Sequence, residues 1–198
     1  MISLRKSIVA GLIIFGGTGC GNQARECPVG NDGTDLPQSN GSRFTGDASA
    51  GNQALAPSLL FIKKWEGWRS TSYKDQGGRL TIGWGRCEGV FASEQTRKER
   101  EEVWLRKRIE SMNDLLNARL HRPISTTQRT AMLSLIYNVG FQRVLTSRGW
   151  IALNRGDYSE CSQEWFGRER GFVNCNGKFS EGLARRRAAE RLLFEKGE

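Results

Sequence analysis

Two carboxylates nine residues apart, Glu66 and Asp75, sit in unlike surroundings within the stretch WEGWRSTSYKDQGGRLTIGWG. Glu66 ends a segment of helical spacing, directly before Gly67. Backbone carbonyls concentrate partial negative charge at that end of a helix and disfavour an ionised acid. Trp65 and Trp68 flank the same residue. Both effects favour the neutral carboxyl, so Glu66 is expected to hold its proton at higher pH than an ordinary glutamate and to serve as an acid. Asp75 lies in a polar turn beside Gly77 and Gly78 and is expected to stay ionised, with the Thr81 hydroxyl nearby to hold a water. One protonated acid and one ionised carboxylate are what glycosidic-bond hydrolysis requires.

The elements that must position these groups follow from local pattern. Pro57 opens a helix in which Leu59, Ile62 and Glu66 recur at spacings of three and four, so Glu66 shares a face with core-directed residues. Residues 70–90 turn to β-branched and aromatic types around QGG and GWG, which predicts a small, tightly turned antiparallel sheet. Residues 93–120 predict a long helix with Val103, Ile109, Met112, Leu116 and Leu120 inward and its dense charges on a solvated face. Ser125 with Gln128 reads as a capping box opening a further helix that Gly140 stops. Shorter helices are expected around 150–154, 158–168 and 183–195. The fold class is α+β, a small antiparallel sheet plus a mostly helical lobe with a cleft between them.

Composition bounds the setting. The 198 residues carry a formal net charge of +9, while residues 1–56 hold four basic and four acidic residues, so the excess lies in residues 57–198. A cationic domain fits a polyanionic partner, whether nucleic acid, membrane surface or an acidic wall polymer. Residues 1–20, with Arg5 and Lys6 before the apolar run Ile8 to Phe15 and the small residues of GGTGCGN, read as a signal peptide, a lipoprotein signal at Cys20 or a signal-anchor. Export follows, to the periplasm or to a membrane-anchored state at the inner or outer membrane. Residues 21–56, rich in Gly, Asn, Asp and Ser, read as a flexible linker, and residues 57–198 as the catalytic domain. An exported chain meets an oxidising compartment, so the cysteines beyond Cys20 are expected to pair. Cys161 with Cys175, the nearest in sequence, is favoured, and Cys27 with Cys87 follows. With no Cys-x-x-Cys pair and His121 the sole histidine, neither a metal nor another cofactor is expected.

The pattern Glu66-Gly67, Tyr73, Asp75, Gly78, Thr81-Ile82-Gly83 and Gly85 closely resembles the phage-type lysozymes among the glycoside hydrolases. The stretches TQRTAMLSLIYNVG, LNRGDY and GLARRRAAERLLF resemble the later helices of that family, so the resemblance spans residues 57–196. It implies hydrolysis of the β-1,4 bond between N-acetylmuramic acid and N-acetylglucosamine in peptidoglycan. Glu66 would be the acid, and Asp75 and Thr81 would position the attacking water for an inverting displacement. Tyr137 and Asn138 match cleft positions that touch substrate. Family members often carry His where this chain has Arg86, and an arginine there could bind a muramyl or peptide carboxylate or pair with a nearby acid. One of the arginines 185–187 is placed to brace Glu66. A monomer acting on the polymer, without nucleic acid, is implied.

Two other readings use the same partner. A catalytically silent peptidoglycan-binding protein would keep the cleft and lose an acid, and no such loss is visible. A Cys–His peptidase would use Cys87 as nucleophile and His121 as base, although His121 lies in the short loop LHRPIS with nothing to prepare it. Phage lysis, wall remodelling and attack on neighbouring cells remain open as settings.

Overall fold

The computed structural model describes residues 55–75 and 78–197. The expected leader, nearly all of the expected linker, and Cys20 and Cys27 lie outside the described residues. Helix α1, Ala56–Glu66, has Pro57 in its first turn, buries Ser58, Leu59 and Ile62, and places Lys63 and Lys64 at its negative C-terminal end. Gly67, at φ 69°, ends it.

Strand β1, Arg69–Lys74, then pairs antiparallel with β2, Leu80–Gly83, setting Tyr73 opposite Thr81 and Lys74 opposite Leu80. The turn between them is closed by the Asp75 N–H donating to the Arg79 carbonyl at 2.9 Å. Helix α2, Lys98–Asn117, turns Glu101, Leu105, Ile109, Met112 and Leu116 inward. Val103, expected inward, is 56% exposed. The inward stripe runs at spacings of four, four, three and four through Glu101 instead, because an acid occupies the position that pattern reading reserves for an apolar residue.

Helix α3, Thr126–Val139, is buried continuously from Thr130 to Val139. Its N-terminus carries the expected capping box: Ser125 Oγ accepts from the Gln128 N–H and Gln128 Oε1 accepts from the Ser125 N–H. A helix buried around its whole circumference must be surrounded, and α3 is packed by α1, α2, the short α4 (Phe141–Leu145) and α7 (Glu181–Glu195). Helices α5, Arg148–Arg155, and α6, Tyr158–Phe166, complete the helical lobe. Trp165, Phe166 and Phe194 form its aromatic core, with ring centroids 5.5–6.0 Å apart.

Two elements escaped the periodic pattern. Helix α4 is too short for a period to register. The hairpin of β3, Asn174–Cys175, and β4, Lys178–Phe179, turns through Asn176 and Gly177 at φ 50° and 75°, the signature of an Asn-Gly turn.

The cysteines correct the favoured pairing. Cys87 and Cys175 are each engaged in a disulfide, whereas Cys161 is a fully buried thiol on α6. Closeness in sequence says nothing of the direction of a Cβ bond, and α6 turns that of Cys161 into the core beside Trp165.

Gly83 ties the sheet to α2. It adopts φ +66°, and a Cβ there would fall 2.7 Å from the Glu101 Cγ. Gly67 has a similar φ of +69° with nothing within 4 Å of a Cβ. Gly67→Ala is therefore expected to lose about 1–3 kcal/mol to backbone strain alone, and Gly83→Ala distinctly more. Paired thermal or denaturant unfolding measures the difference, and equal losses would mean that the Glu101 packing is dispensable.

Candidate active site

Glu66 and Asp75 are delivered by adjacent but different elements, the last residue of α1 and the turn that follows β1. Each carboxylate is largely withdrawn from water, with side chains 5% and 10% exposed.

An arginine, besides the flanking tryptophans, stands at Glu66. Arg186 Nη1 donates to Glu66 Oε1 at 2.8 Å, so one of the three consecutive arginines of α7 does brace the acid. Arg185 is exposed and turns back to the Glu181 carbonyl. The other two are buried: Arg186 is 5% exposed and Arg187 fully buried. Both are countered by buried Glu190, whose Oε1 lies 3.1 Å from Arg186 Nε and 2.9 Å from Arg187 Nη2, while Oε2 lies 2.7 Å from Arg187 Nε. Ser134 of α3 donates its hydroxyl to Glu190 at 2.6 Å, and its carbonyl and hydroxyl each accept from Arg186 Nη2 at 3.2 Å. Burial pulls the Arg187 guanidinium down to about 10 despite the opposing charge of Glu190.

Asp75 and Thr81 come together. Thr81 Oγ1 lies 3.4 Å from Asp75 Oδ2, and the Arg79 N–H donates to Asp75 Oδ1 at 3.0 Å. Arg79 Nε stands 3.6 Å from Oδ2. The short turn makes this inevitable, since antiparallel pairing through Lys74 and Leu80 folds Thr81 back beside Asp75. The arrangement offers an anchored carboxylate beside a hydroxyl, the pair of acceptors that can hold one water.

Arg86 takes the pairing alternative. Its Nε lies 2.9 Å from Glu101 Oε2, Nη2 lies 3.0 Å from Glu101 Oε1 and 2.8 Å from Glu94 Oε1, and Nη1 donates to the Glu88 carbonyl at 3.0 Å. Thr96 Oγ1 adds a bond of 2.7 Å to Glu101. Arg86 and the Phe91 N–H hold the Glu94 carboxyl below its usual range, and Glu101 raises the Arg86 guanidinium in turn. The guanidinium is engaged by these acids. Sequence reading had placed the α2 charges on a solvated face. Glu101 falls on the same stripe as Leu105 and Ile109, and that was the available signal. A cavity of about 390 Å³ beside this cluster is lined by Arg86, Glu88, Gly89, Arg100, Glu101 and Trp104, with none of Glu66, Asp75 or Thr81.

Tyr137 and Asn138 are 8% and 6% exposed near the end of α3. The Tyr137 hydroxyl donates to the Trp84 carbonyl at 2.8 Å and so links the helical lobe to the turn after β2. Trp84 in turn packs on Trp68, with centroids 4.6 Å apart, and under the Lys63 ammonium at 4.4 Å. Cys87 is in a disulfide and His121 is exposed in a loop, which takes away the thiolate and the prepared base of a Cys–His peptidase. Among the described residues no group of three or more His, Cys, Asp or Glu is placed to hold a metal ion.

Comparison with known proteins agrees with this geometry. The phage lysozyme family model matches residues 63–190, a span that holds Glu66, Asp75, Thr81 and Arg185 to Arg187. An endolysin of Acyrthosiphon pisum secondary endosymbiont phage 1 is 35% identical over 137 residues, covering 69% of this chain and 94% of its own. Among solved structures, the muramidase domain of SpmX from Asticaccaulis excentricus superposes with a TM-score of 0.63 at 25% identity, covering 70% of this chain and 95% of that one. An endolysin from Escherichia coli O157:H7 phage FAHEc1 gives 0.60 at 28% identity, with 70% and 90% covered. The lysozyme-like α+β fold, the paired Asp75 and Thr81, and the match across most of the described residues lead to one conclusion: this chain belongs to the phage lysozyme family.

Proposed function

We propose that the protein is a muramidase, an exported peptidoglycan hydrolase that cleaves the β-1,4 bond between N-acetylmuramic acid and N-acetylglucosamine by a single inverting displacement. The observation that carries this reading is the contact of Thr81 with Asp75, set on a separate element from Glu66, whose side chain is largely withdrawn from water. The naming of its relatives as endolysin and muramidase supports the choice of polymer.

In this mechanism Glu66 gives its proton to the glycosidic oxygen as the bond from that oxygen to the anomeric carbon breaks. Asp75 and Thr81 hold a water on the opposite face, Asp75 accepts a proton from it, and the water oxygen bonds to the anomeric carbon. A carboxylate meant to attack the sugar directly has no use for a hydroxyl beside it, whereas one that orients water does. Asn138 supplies an amide for the sugar's polar substituents. Tyr137 acts at one remove, fixing the Trp84 carbonyl. The basic domain favours an acidic wall polymer, on which the enzyme works as a monomer, delivered by the apolar leader of residues 1–20.

Glu66→Gln is expected to fold and to lose about 10²–10⁴-fold in hydrolysis of purified peptidoglycan, because an amide cannot protonate the leaving oxygen. Unchanged turnover in a folded sample would remove Glu66 from the mechanism, and wild-type protein that binds peptidoglycan without cutting it would point to the silent binder. Thr81→Val is expected to be folded and slow, with Thr81→Ser recovering part of the rate. Following the first-formed anomer by NMR on a peptidoglycan oligomer should show inversion, which needs about 6.5–9.5 Å between the carboxyl groups. Retention, or a trapped glycosyl adduct on Asp75, would overturn the water-holding role.

A further inference from the structure

Arg186 poses a problem for the acid it braces. A guanidinium 2.8 Å from Glu66 favours the ionised carboxylate, yet a general acid must keep its proton until the substrate takes it. We propose that Glu190 is a positioning residue that shares Arg186 with Glu66, holding that guanidinium in place while offsetting its charge so that Glu66 remains an effective acid. This rests on the reading of Glu66 as the acid.

Every nitrogen of Arg186 is committed: Nη1 to Glu66, Nε to Glu190, and Nη2 to the Ser134 carbonyl and hydroxyl. The cation therefore cannot swing away when Glu66 protonates, and its effect must be tempered where it stands. Glu190 is fully buried, with Arg186, Arg187 and the Ser134 hydroxyl all directed at it. With Glu190 in place, Glu66, Arg186, Glu190 and Arg187 sum to zero when Glu66 is ionised and to one positive charge when it is protonated. Without Glu190 the protonated state would bring together two buried cations with no counter-charge. Arg187 reinforces the point, since the Glu66 charge acts on it from within the same cluster.

Of the other charged groups on the packed elements, Lys64 and Arg185 are exposed, Glu181 pairs with Arg168, and the rest are engaged elsewhere. Lys63 of α1 pairs with Glu102, Arg129 of α3 donates to Asn113 and Asn117, and Glu160 and Glu164 of α6 pair with Arg170. Glu195 of α7 takes Ser162 and Arg191. A purely structural cluster would have no need of this charge balance, since well-packed apolar residues hold two helices together as well or better.

The test is the pH profile of kcat and of kcat/KM on soluble peptidoglycan fragments, with thermal melts as the control for folding. Activity that needs protonated Glu66 is lost as pH rises, so the alkaline limb reports the acid. Glu190→Gln leaves excess positive charge at Glu66 and is expected to move that limb down by about one pH unit, lowering kcat at neutral pH with KM little changed. Arg187→Met removes positive charge and is expected to move it up, and Arg187→Met with Glu190→Gln to return it towards the wild-type position. Glu190→Asp, keeping the charge, should keep the limb. A folded Glu190→Gln whose limb does not move overturns the proposal even when Glu66→Gln is inactive, whereas an active Glu66→Gln removes the acid reading itself. Should Glu190→Gln show no cooperative melt, Arg187→Met decides alone: an upward shift supports the proposal, and a fixed or lowered limb defeats it.

Discussion

A buried guanidinium with nowhere to move organises the helical lobe. Arg186 leaves α7 and reaches the end of α1 through Glu66 and the middle of α3 through Ser134, so its desolvation is offset only if all three helices keep their places. Removing one partner from such a cluster strands a charge in a low-dielectric interior, at about 3–5 kcal/mol, which is a large part of the stability of a domain this size. The Glu66 carboxylate is thus built into the framework. Its position at a helix C-terminus, unfavourable for an acid in isolation, is tolerable because a cation stands over it.

The sheet is fixed by a second arginine cluster of the same logic. Arg86, on the turn after β2, is gripped by Glu101 from α2 and by Glu94 from the connecting segment, while Gly83 lets the Glu101 side chain pass where a Cβ would block it. The Tyr137 hydroxyl on the Trp84 carbonyl joins this turn to α3. Asp75 and Thr81 stand on a two-stranded sheet, an element too small to hold its shape unaided. Pinning its base to α2 and α3 gives their hydroxyl–carboxylate contact a fixed frame, as the proposed water-holding role requires.

Local chemistry carried far in the sequence. The Ser125–Gln128 box, Pro57 near the start of α1, and Gly67 and Gly140 past helix ends are decided within a few residues by backbone hydrogen bonding and allowed φ, so they could be read directly. The Asp75–Thr81 pair was legible for the same reason, because one tight turn brings both together. The burial of Glu101 and Glu190 was less so, since a charged residue reads as solvated by default. On α7 the stripe Leu183, Arg187, Glu190, Phe194 has the four-three-four spacing of a buried face, with the charges at its centre as the clue.

The sequence by itself determined most element types, the closeness of Asp75 to Thr81 and the family, because these depend on short-range spacing. The tertiary structure alone decided what each charge meets: that Arg186 braces Glu66, that Arg86 pairs with Glu101 and Glu94, and that Cys161 is buried while Cys175 enters a disulfide. These outcomes turn on partners 15 to 120 residues away, brought together by helix packing. Electrostatic strength also depends on how much water the packing expels, and no local pattern encodes that.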